Sequence, residues 1–312
     1  MNFIKKNAEA AAKEKAQSQE GDDQLTLQKH RWVPVRLIDR KPVSDDTRTY
    51  TFSLPDDKTC LGLGTCQHIQ LGFHLADKIL IRSYTPTRPL LPARPSAPQR
   101  SGAQANGDST ERKAHDSVAD GDGTFDLTVK TYFPSAAQPG GALSNILDCM
   151  PLGEEVEIRG PTGEIVYNGH GKFIIDGKER CFKRVSLVLG GSGITPGYAL
   201  IARVVLSEGD TTEIRVVDAN KSEGDVLLKG ELEDLVEKGE GRLKVTHVLS
   251  HPSEDWRGLK GHVNKEVIEG NLFEPGGESV AFLCGPPAMI QKSALPALTE
   301  WGYVEDEDVF GF

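Results

Sequence analysis

A chain of 312 residues is long enough for two domains of ordinary size, and 46 acidic against 36 basic residues give a formal net charge of −10, which argues against nonspecific nucleic-acid binding. Five cysteines, at 60, 66, 149, 181 and 284, form no CxxC pair, so neither a zinc site nor an iron–sulfur spacing is indicated and no metal is expected. No window reaches the roughly 18 apolar residues of a membrane span, and the start, MNFIKKNAEAAAKEKAQSQE, carries acids and no apolar core, so a cytoplasmic protein without membrane contact is the expectation.

Residues 1–28 are rich in Ala, Lys, Glu and Gln and read as a flexible tail or linker, because such a segment buries little. From Trp32 the texture changes. WVPVRLIDR, TRTYTFSLP, CQHIQLGF, KILIRSYTP, FDLTVKTYF and EEVEIRGP are short runs of β-branched or alternating character, separated by Gly, Pro and Asp. That pattern predicts an antiparallel barrel or sandwich over residues 29–178. Residues 93–123 interrupt it with almost no large apolar side chains, which predicts a disordered insertion between two strands.

Over residues 179–312 strand and helix alternate. RVSLVLG leads into TPGYALIARVVLSEG, EIRVVDA into VLLKGELEDLVEKG, then RLKVTHVLS, VNKEVIEG, and SVAFLCG into PPAMIQKSALPALTEWG. This is the rhythm of a parallel sheet covered by helices, whose ligands sit at the carboxyl ends of the strands. Two glycine-bearing turns, GGSG at 190–193 and the turn after Cys284, fall at that edge.

The spacing LVLGGSGITPGYAL excludes several familiar sites. It is not GxxxxGK[ST], not GxSxG because Ile194 takes the last place, and not GxGxxG because Pro196 stands where Gly is required. What remains is a strand, a glycine turn and a helix opening at Thr195 and Pro196, where a proline costs little and bare amides can hold a phosphate. Cys284 at a strand end reads on its own as packing.

The ordered set RSYT (82–85), VKTYF (129–133), GGALS (140–144), GGSGITP (190–196), CGPPAM (284–289) and a terminal Phe312 resembles the cytochrome b5 reductase family within the ferredoxin-reductase-like flavoenzymes. The resemblance runs from Trp32 to the last residue and is strongest to the flavin-containing region of eukaryotic, fungal-type assimilatory nitrate reductases, where phrases such as RSYTPTRPL and FLCGPPAMIQK also occur. It implies a six-stranded antiparallel FAD-binding barrel followed by a parallel-sheet NAD(P)-binding domain. The implied activity is hydride transfer from NADPH or NADH to FAD, with electrons released singly to a haem protein or haem domain of the cytochrome b5 type. A stand-alone NAD(P)H–cytochrome b5 reductase and a non-catalytic flavin-fold regulatory partner are the alternatives. The chain lacks an HPGG haem-module segment and a molybdenum domain, so it reads as a fragment or a stand-alone reductase, with residues 1–28 like the hinge that follows a haem module.

The same resemblance implies site roles. Arg82 pairs with the FAD pyrophosphate, with Ser83, Tyr84 and Thr85 along the isoalloxazine and ribityl chain. Val129, Lys130, Thr131, Tyr132 and Phe133 supply a second edge. Ala142, Leu143 and Ser144 open a helix onto the pyrophosphate. Gly190, Gly191, Ser192, Gly193, Thr195 and Pro196 hold the ground between flavin and nicotinamide. Cys284, Gly285, Pro286, Pro287, Met289 and Phe312 border the nicotinamide, and Ser250 takes the place where an acid commonly repels a 2′-phosphate. Tyr84, Thr195 and Cys284 stand closest to the reaction. No acid or base is needed for hydride transfer, so His68 and His74 read as ordinary surface or core residues.

Overall fold

The computed structural model describes residues 25–75, 77–88, 121–134, 136 and 139–312. Six strands form the first sheet: β1 (Val33–Pro42), β2 (Thr47–Ser53), β3 (His68–His74), β4 (Ile79–Tyr84), β5 (Thr124–Lys130) and β6 (Glu155–Thr162). Their order is β4-β3-β6-β1-β2-β5, with every neighbouring pair antiparallel. Alternation decides which face is inside. Tyr50 and Phe52 on β2 are fully buried, as are Phe125 and Leu127 opposite them on β5, and Phe52 stacks on Phe125 at 5.3 Å between ring centroids.

The sheet closes on itself beyond β4. Thr87 N–H donates to the Asp126 carbonyl at 3.0 Å, and Asp126 N–H donates to the Arg88 carbonyl at 3.1 Å. The Arg88 guanidinium then reaches Asp122 at 2.6 Å and Asp126 at 2.9 Å, so the chain ahead of the expected insertion is tied to β5 and to the far end of that insertion. The body of that insertion lies outside the described residues.

The expected tail needs a correction at its far end. Residues 1–24 lie outside the described residues, but Thr26 and Leu27 donate backbone hydrogen bonds to the Cys60 and Leu61 carbonyls at 2.9 and 3.1 Å, and Leu27 joins the barrel core. The physical reason is the short apolar alternation LTL within a polar stretch. Helix α1 (Ala142–Cys149) covers the barrel by burying Leu143 and Leu147.

A small antiparallel meander follows: β7 (Ile165–Gly169), β8 (Lys172–Ile175) and β9 (Lys178–Cys181). Ile165, Tyr167, Phe173 and Ile175 pack into the core of the following domain, so the division of cores falls ahead of Ile165 rather than at 178. The Tyr167 hydroxyl fixes the join by donating to Asp210 at 2.5 Å.

The second sheet is wholly parallel. It contains β10 (Arg184–Gly190), β11 (Glu213–Asn220), β12 (Leu243–Leu249), β13 (Leu259–Lys260), β14 (Ser279–Cys284) and β15 (Val309–Gly311), in the order β13-β12-β11-β10-β14-β15. Helices α2 (Ile194–Val205), α3 (Lys229–Lys238), α4 (Lys265–Asn271), α5 (Pro287–Met289) and α6 (Leu295–Trp301) alternate with the strands. Both faces of the sheet are covered, which is why its central strands are continuous apolar runs rather than alternating ones. Leu187 and Leu189 of β10 face one core and Val188 the other. Pairing of β15 with β14 returns the end of the chain to the sheet, where Phe312 N–H donates to the Leu283 carbonyl at 3.1 Å.

Candidate active site

A cleft of about 840 Å³ opens between the barrel and the parallel sheet, within the size range of small-molecule sites. Its barrel wall is the end of β4 with the end of β5 and the start of α1, and its other wall is the turn after β10, the turn after β14 and Phe312. Residues from every motif quoted above therefore meet in one place. Arg82, Ser83, Tyr84, Thr85, Val129, Lys130 and Tyr132 line it from the strands, and Ala142, Leu143 and Ser144 from the helix. Gly190, Gly191, Ser192, Gly193, Thr195, Pro196, Cys284, Gly285, Pro286, Pro287 and Phe312 line it from the parallel sheet.

Four expected residues stand elsewhere. Thr131 is buried behind the wall, Phe133 is exposed, Met289 packs toward Gly190, and Ser250 follows β12 with its N–H donating to the Asn220 carbonyl at 3.1 Å. None of the four lines the cleft. The cleft is also lined by Thr128, by Gly141 of the GGALS motif, and by His68, which the sequence reading gave as an ordinary surface or core residue. His68 lies at the start of β3, and burial holds its imidazole below the ordinary 6.5, so a neutral ring faces the cleft. Its signal in the sequence is slight, since one histidine in CQHIQLGF fits a strand without any ligand.

The three glycines at 190–193 serve two purposes. A Cβ on Gly193 would stand 2.5 Å from the Cys284 carbonyl oxygen, and one on Gly190 would stand 2.9 Å from Pro286 and Met289. Gly193 lets the two turns touch backbone to backbone, and Gly190 leaves room for the Pro286 ring and the Met289 side chain. Gly191 has φ +54, and a Cβ there would meet nothing within 4 Å, so this part of the turn opens onto free space.

The polar character of the cleft suits a phosphate-bearing ligand. Arg82 donates to its own neighbour, the Ile81 carbonyl, at 2.7 Å, and no carboxylate is paired with it among the described residues. No side chain caps the N-terminus of α1, which leaves its first-turn amides for a ligand oxygen, whereas α2 continues the turn Gly191–Gly193 and its Ile194 N–H already donates to the Gly191 and Ser192 carbonyls. Apart from Arg82 and Lys130, the wall carries no charged side chain. Burial raises the Tyr84 phenol above its ordinary value and pushes the Cys284 thiol up to about 11, so both remain protonated at neutral pH and Cys284 is no thiolate nucleophile. Phe312 is held against Phe282 at 5.2 Å. A planar ring can enter between aromatic and small residues while its phosphates meet Arg82 and bare amides, so these residues fit FAD with a nicotinamide nucleotide.

Sequence comparison decides the family. Residues 34–91 and 103–167 match the oxidoreductase FAD-binding domain, and residues 187–294 match the oxidoreductase NAD-binding domain. The chain belongs to the FAD- and NAD-binding oxidoreductases. It is 35% identical over 284 residues to nitrate reductase [NADH] 1 of Arabidopsis thaliana, covering 90% of this chain and 28% of that protein. It is likewise 35% identical over 275 residues to nitrate reductase [NADH] 2 of Nicotiana tabacum, covering 87% and 27%. The chain thus spans just over a quarter of the length of these relatives.

Among solved structures, this oxidoreductase superposes on the cytochrome b5 reductase domain of Ulva prolifera nitrate reductase with a TM-score of 0.79 at 28% identity, over 92% of this chain and 99% of that one. The fold recurs in the CS-b5R domains of human Ncb5or at a TM-score of 0.67 and 20% identity, over 90% of this chain and 69% of that one. The barrel and the parallel sheet of this oxidoreductase are therefore its FAD-binding and NAD-binding domains, and either NADH or NADPH is compatible with them.

Proposed function

We propose that this chain takes electrons from NADH or NADPH onto FAD and delivers them one at a time to a haem acceptor of the cytochrome b5 kind, as the reductase portion of a nitrate reductase. The observation that carries the reading is the cleft, where the end of β4 faces the glycine turn and Phe312 across a single space. When bound, FAD supplies a ring that accepts a hydride and gives up electrons singly. The residues of the chain bind and align. Arg82 holds the pyrophosphate as a charge-assisted pair, and the amides that open α1 complete its shell. Tyr84 and Thr85 would run along the flavin, Ser192 and Thr195 would stand between flavin and nicotinamide, and Cys284 and Phe312 would close the far side against water. A neutral thiol and a neutral phenol keep fixed charge away from the reacting rings.

Ser250 bears on the choice of nucleotide. It sits at the carboxyl edge of the parallel sheet beside Lys221 and His251, with its hydroxyl 2.9 Å from His251 Nδ1. That neighbourhood presents no acid at position 250 to repel a 2′-phosphate, so NADPH is accepted.

One assay series tests the reading. The FAD-loaded chain is expected to reduce ferricyanide and cytochrome b5 with either nucleotide and to form no nitrite from nitrate. Absence of ferricyanide reduction with both nucleotides would overturn the assignment, and nitrite formed at a comparable rate would overturn its role as the reductase portion. In the same series Ser250→Asp lowers the ratio of kcat/KM for NADPH over NADH by about tenfold through like-charge repulsion. An unmoved ratio removes Ser250 from the phosphate.

A further inference from the structure

Lys130 ends β5 on the wall of the cleft, yet its ammonium is already taken. It lies 2.7 Å from Asp46 Oδ2, in the barrel, and 2.8 Å from Asp225 Oδ1, in the nucleotide domain. The bridge is partly shielded, with the Lys130 side chain 16% exposed and that of Asp225 25%. Burial works against the charged forms, but hydrogen bonding to the two carboxylates overcomes it, so the lysine pKa is raised and both aspartate pKa values are lowered.

Asp225 is itself held from the other side. Ser222 donates to Asp225 Oδ2 from its N–H at 3.1 Å and from its hydroxyl at 2.7 Å, while Oδ1 goes to Lys130. Two residues before Asp225, Glu223 Oε1 accepts from the Ser253 hydroxyl at 2.6 Å and from its N–H at 3.0 Å. The loop after β11 and the loop after β12 are thus joined into one polar unit, and that unit is tied to the barrel by an ion pair.

We propose that Asp225 is a positioning residue: acting through Lys130, it fixes the loops at the carboxyl ends of β11 and β12 against the flavin barrel and so sets how the two rings meet. The inference rests on the reading that nicotinamide and flavin meet in this cleft. Misalignment of about an ångström is enough to slow a transfer a hundredfold, and an interface between domains is the place where such slack arises. Asp46 makes no link between domains, which gives the proposal an internal control.

The test is rapid mixing of the FAD-loaded chain with NADH, followed by flavin absorbance. Asp225→Asn is expected to lower the limiting rate of flavin reduction at least tenfold, with FAD content and circular dichroism unchanged and the Kd for NADH moved less than threefold. Asp225→Glu restores the rate to within threefold. Asp46→Asn, which leaves the bridge to Asp225 in place, costs less than twofold. Ser222→Ala keeps both charges but unmoors Asp225, and it shows a smaller loss of the same kind, so the proposal stays open to refutation if Asp225→Asn does not fold. A wild-type limiting rate in Asp225→Asn, a loss confined to Kd, or an equal loss in Asp46→Asn would overturn it. Failure of NADH to reduce the wild-type flavin would instead overturn the reading beneath it, a result visible before any variant is made.

Discussion

Arg82 stands at the mouth of the cleft with its charge unanswered by any carboxylate among the described residues. A guanidinium in that state is suited to a phosphate, since its planar fork meets two oxygens at once. Hydrogen bonds to charged groups contribute about 1.5–3 kcal/mol each, so Arg82→Ala is expected to weaken FAD retention by roughly 10- to 100-fold. Flavin fluorescence released on dilution measures it, and equal retention would detach Arg82 from the pyrophosphate. Arg82 was legible in the sequence because RSYT occurs in order with five other motifs. His68 was not, for a lone histidine in a strand carries no pattern. Asp225 was hidden for a different reason: its partner Lys130 is 95 residues away in sequence, and a pair separated so far leaves no local trace.

At the scale of elements, the turn after β10 and the turn after β14 form one object. The close approach of Gly193 to the Cys284 carbonyl makes a methyl group at 193 a wedge between two backbones. Gly193→Ala is therefore expected to destabilise the fold by about 1–3 kcal/mol and to loosen FAD, read as a lowered Tm and a lowered flavin content. Wild-type values for both would mean that the turns can part at no cost. The strands of the barrel were legible from their two-residue alternation, β10 and β14 from their apolar runs, and β11 and β12 from their place in the alternation of strand and helix. The meander β7–β9 was not, because strands of four and five residues are too short to establish a period. Its turns did leave a signal. Asp176–Gly177 joins β8 to β9 with φ values of +49 and +73, the positive pair that Asp-Gly favours in a tight hairpin. The strand β15 is three residues long and is created by its pairing with β14 rather than by its own sequence.

For the molecule as a whole, the fold class was legible but the strand order was not. The order β4-β3-β6-β1-β2-β5 brings His68–His74 beside Glu155–Thr162, a pairing that depends on tertiary packing and not on local propensity. What joins the two domains is partly ionic, and this has a pH signature. The folded-state pKa values of Asp46 and Asp225 lie below the ordinary 3.8, so their contribution is complete above 3.8 and is lost as pH falls through the lowered values. The Lys130 pKa lies above the ordinary 10.5, so its contribution is complete below 10.5 and is lost as pH rises through the raised value. The Tm difference between wild type and Asp225→Asn is expected to be level from about pH 4 to about pH 10 and to shrink as pH falls below the lowered aspartate values or rises above the raised lysine value. A difference that varies across neutral pH would mean that another group controls the bridge.

The staple of Arg88 onto Asp122 and Asp126 gives the molecule a socket. Arg88 and Asp122 stand within the span of one side chain, so the segment between them begins and ends at nearly the same place. Lengthening such a segment costs only with the logarithm of its length, about 0.6 kcal/mol for each doubling. A guest domain whose own termini lie close together can be spliced there while the strand pairing beneath it stays intact. The oxidoreductase can thus be made to carry cargo, such as a fluorescent reporter, a surface anchor or a second enzyme, between Arg88 and Asp122.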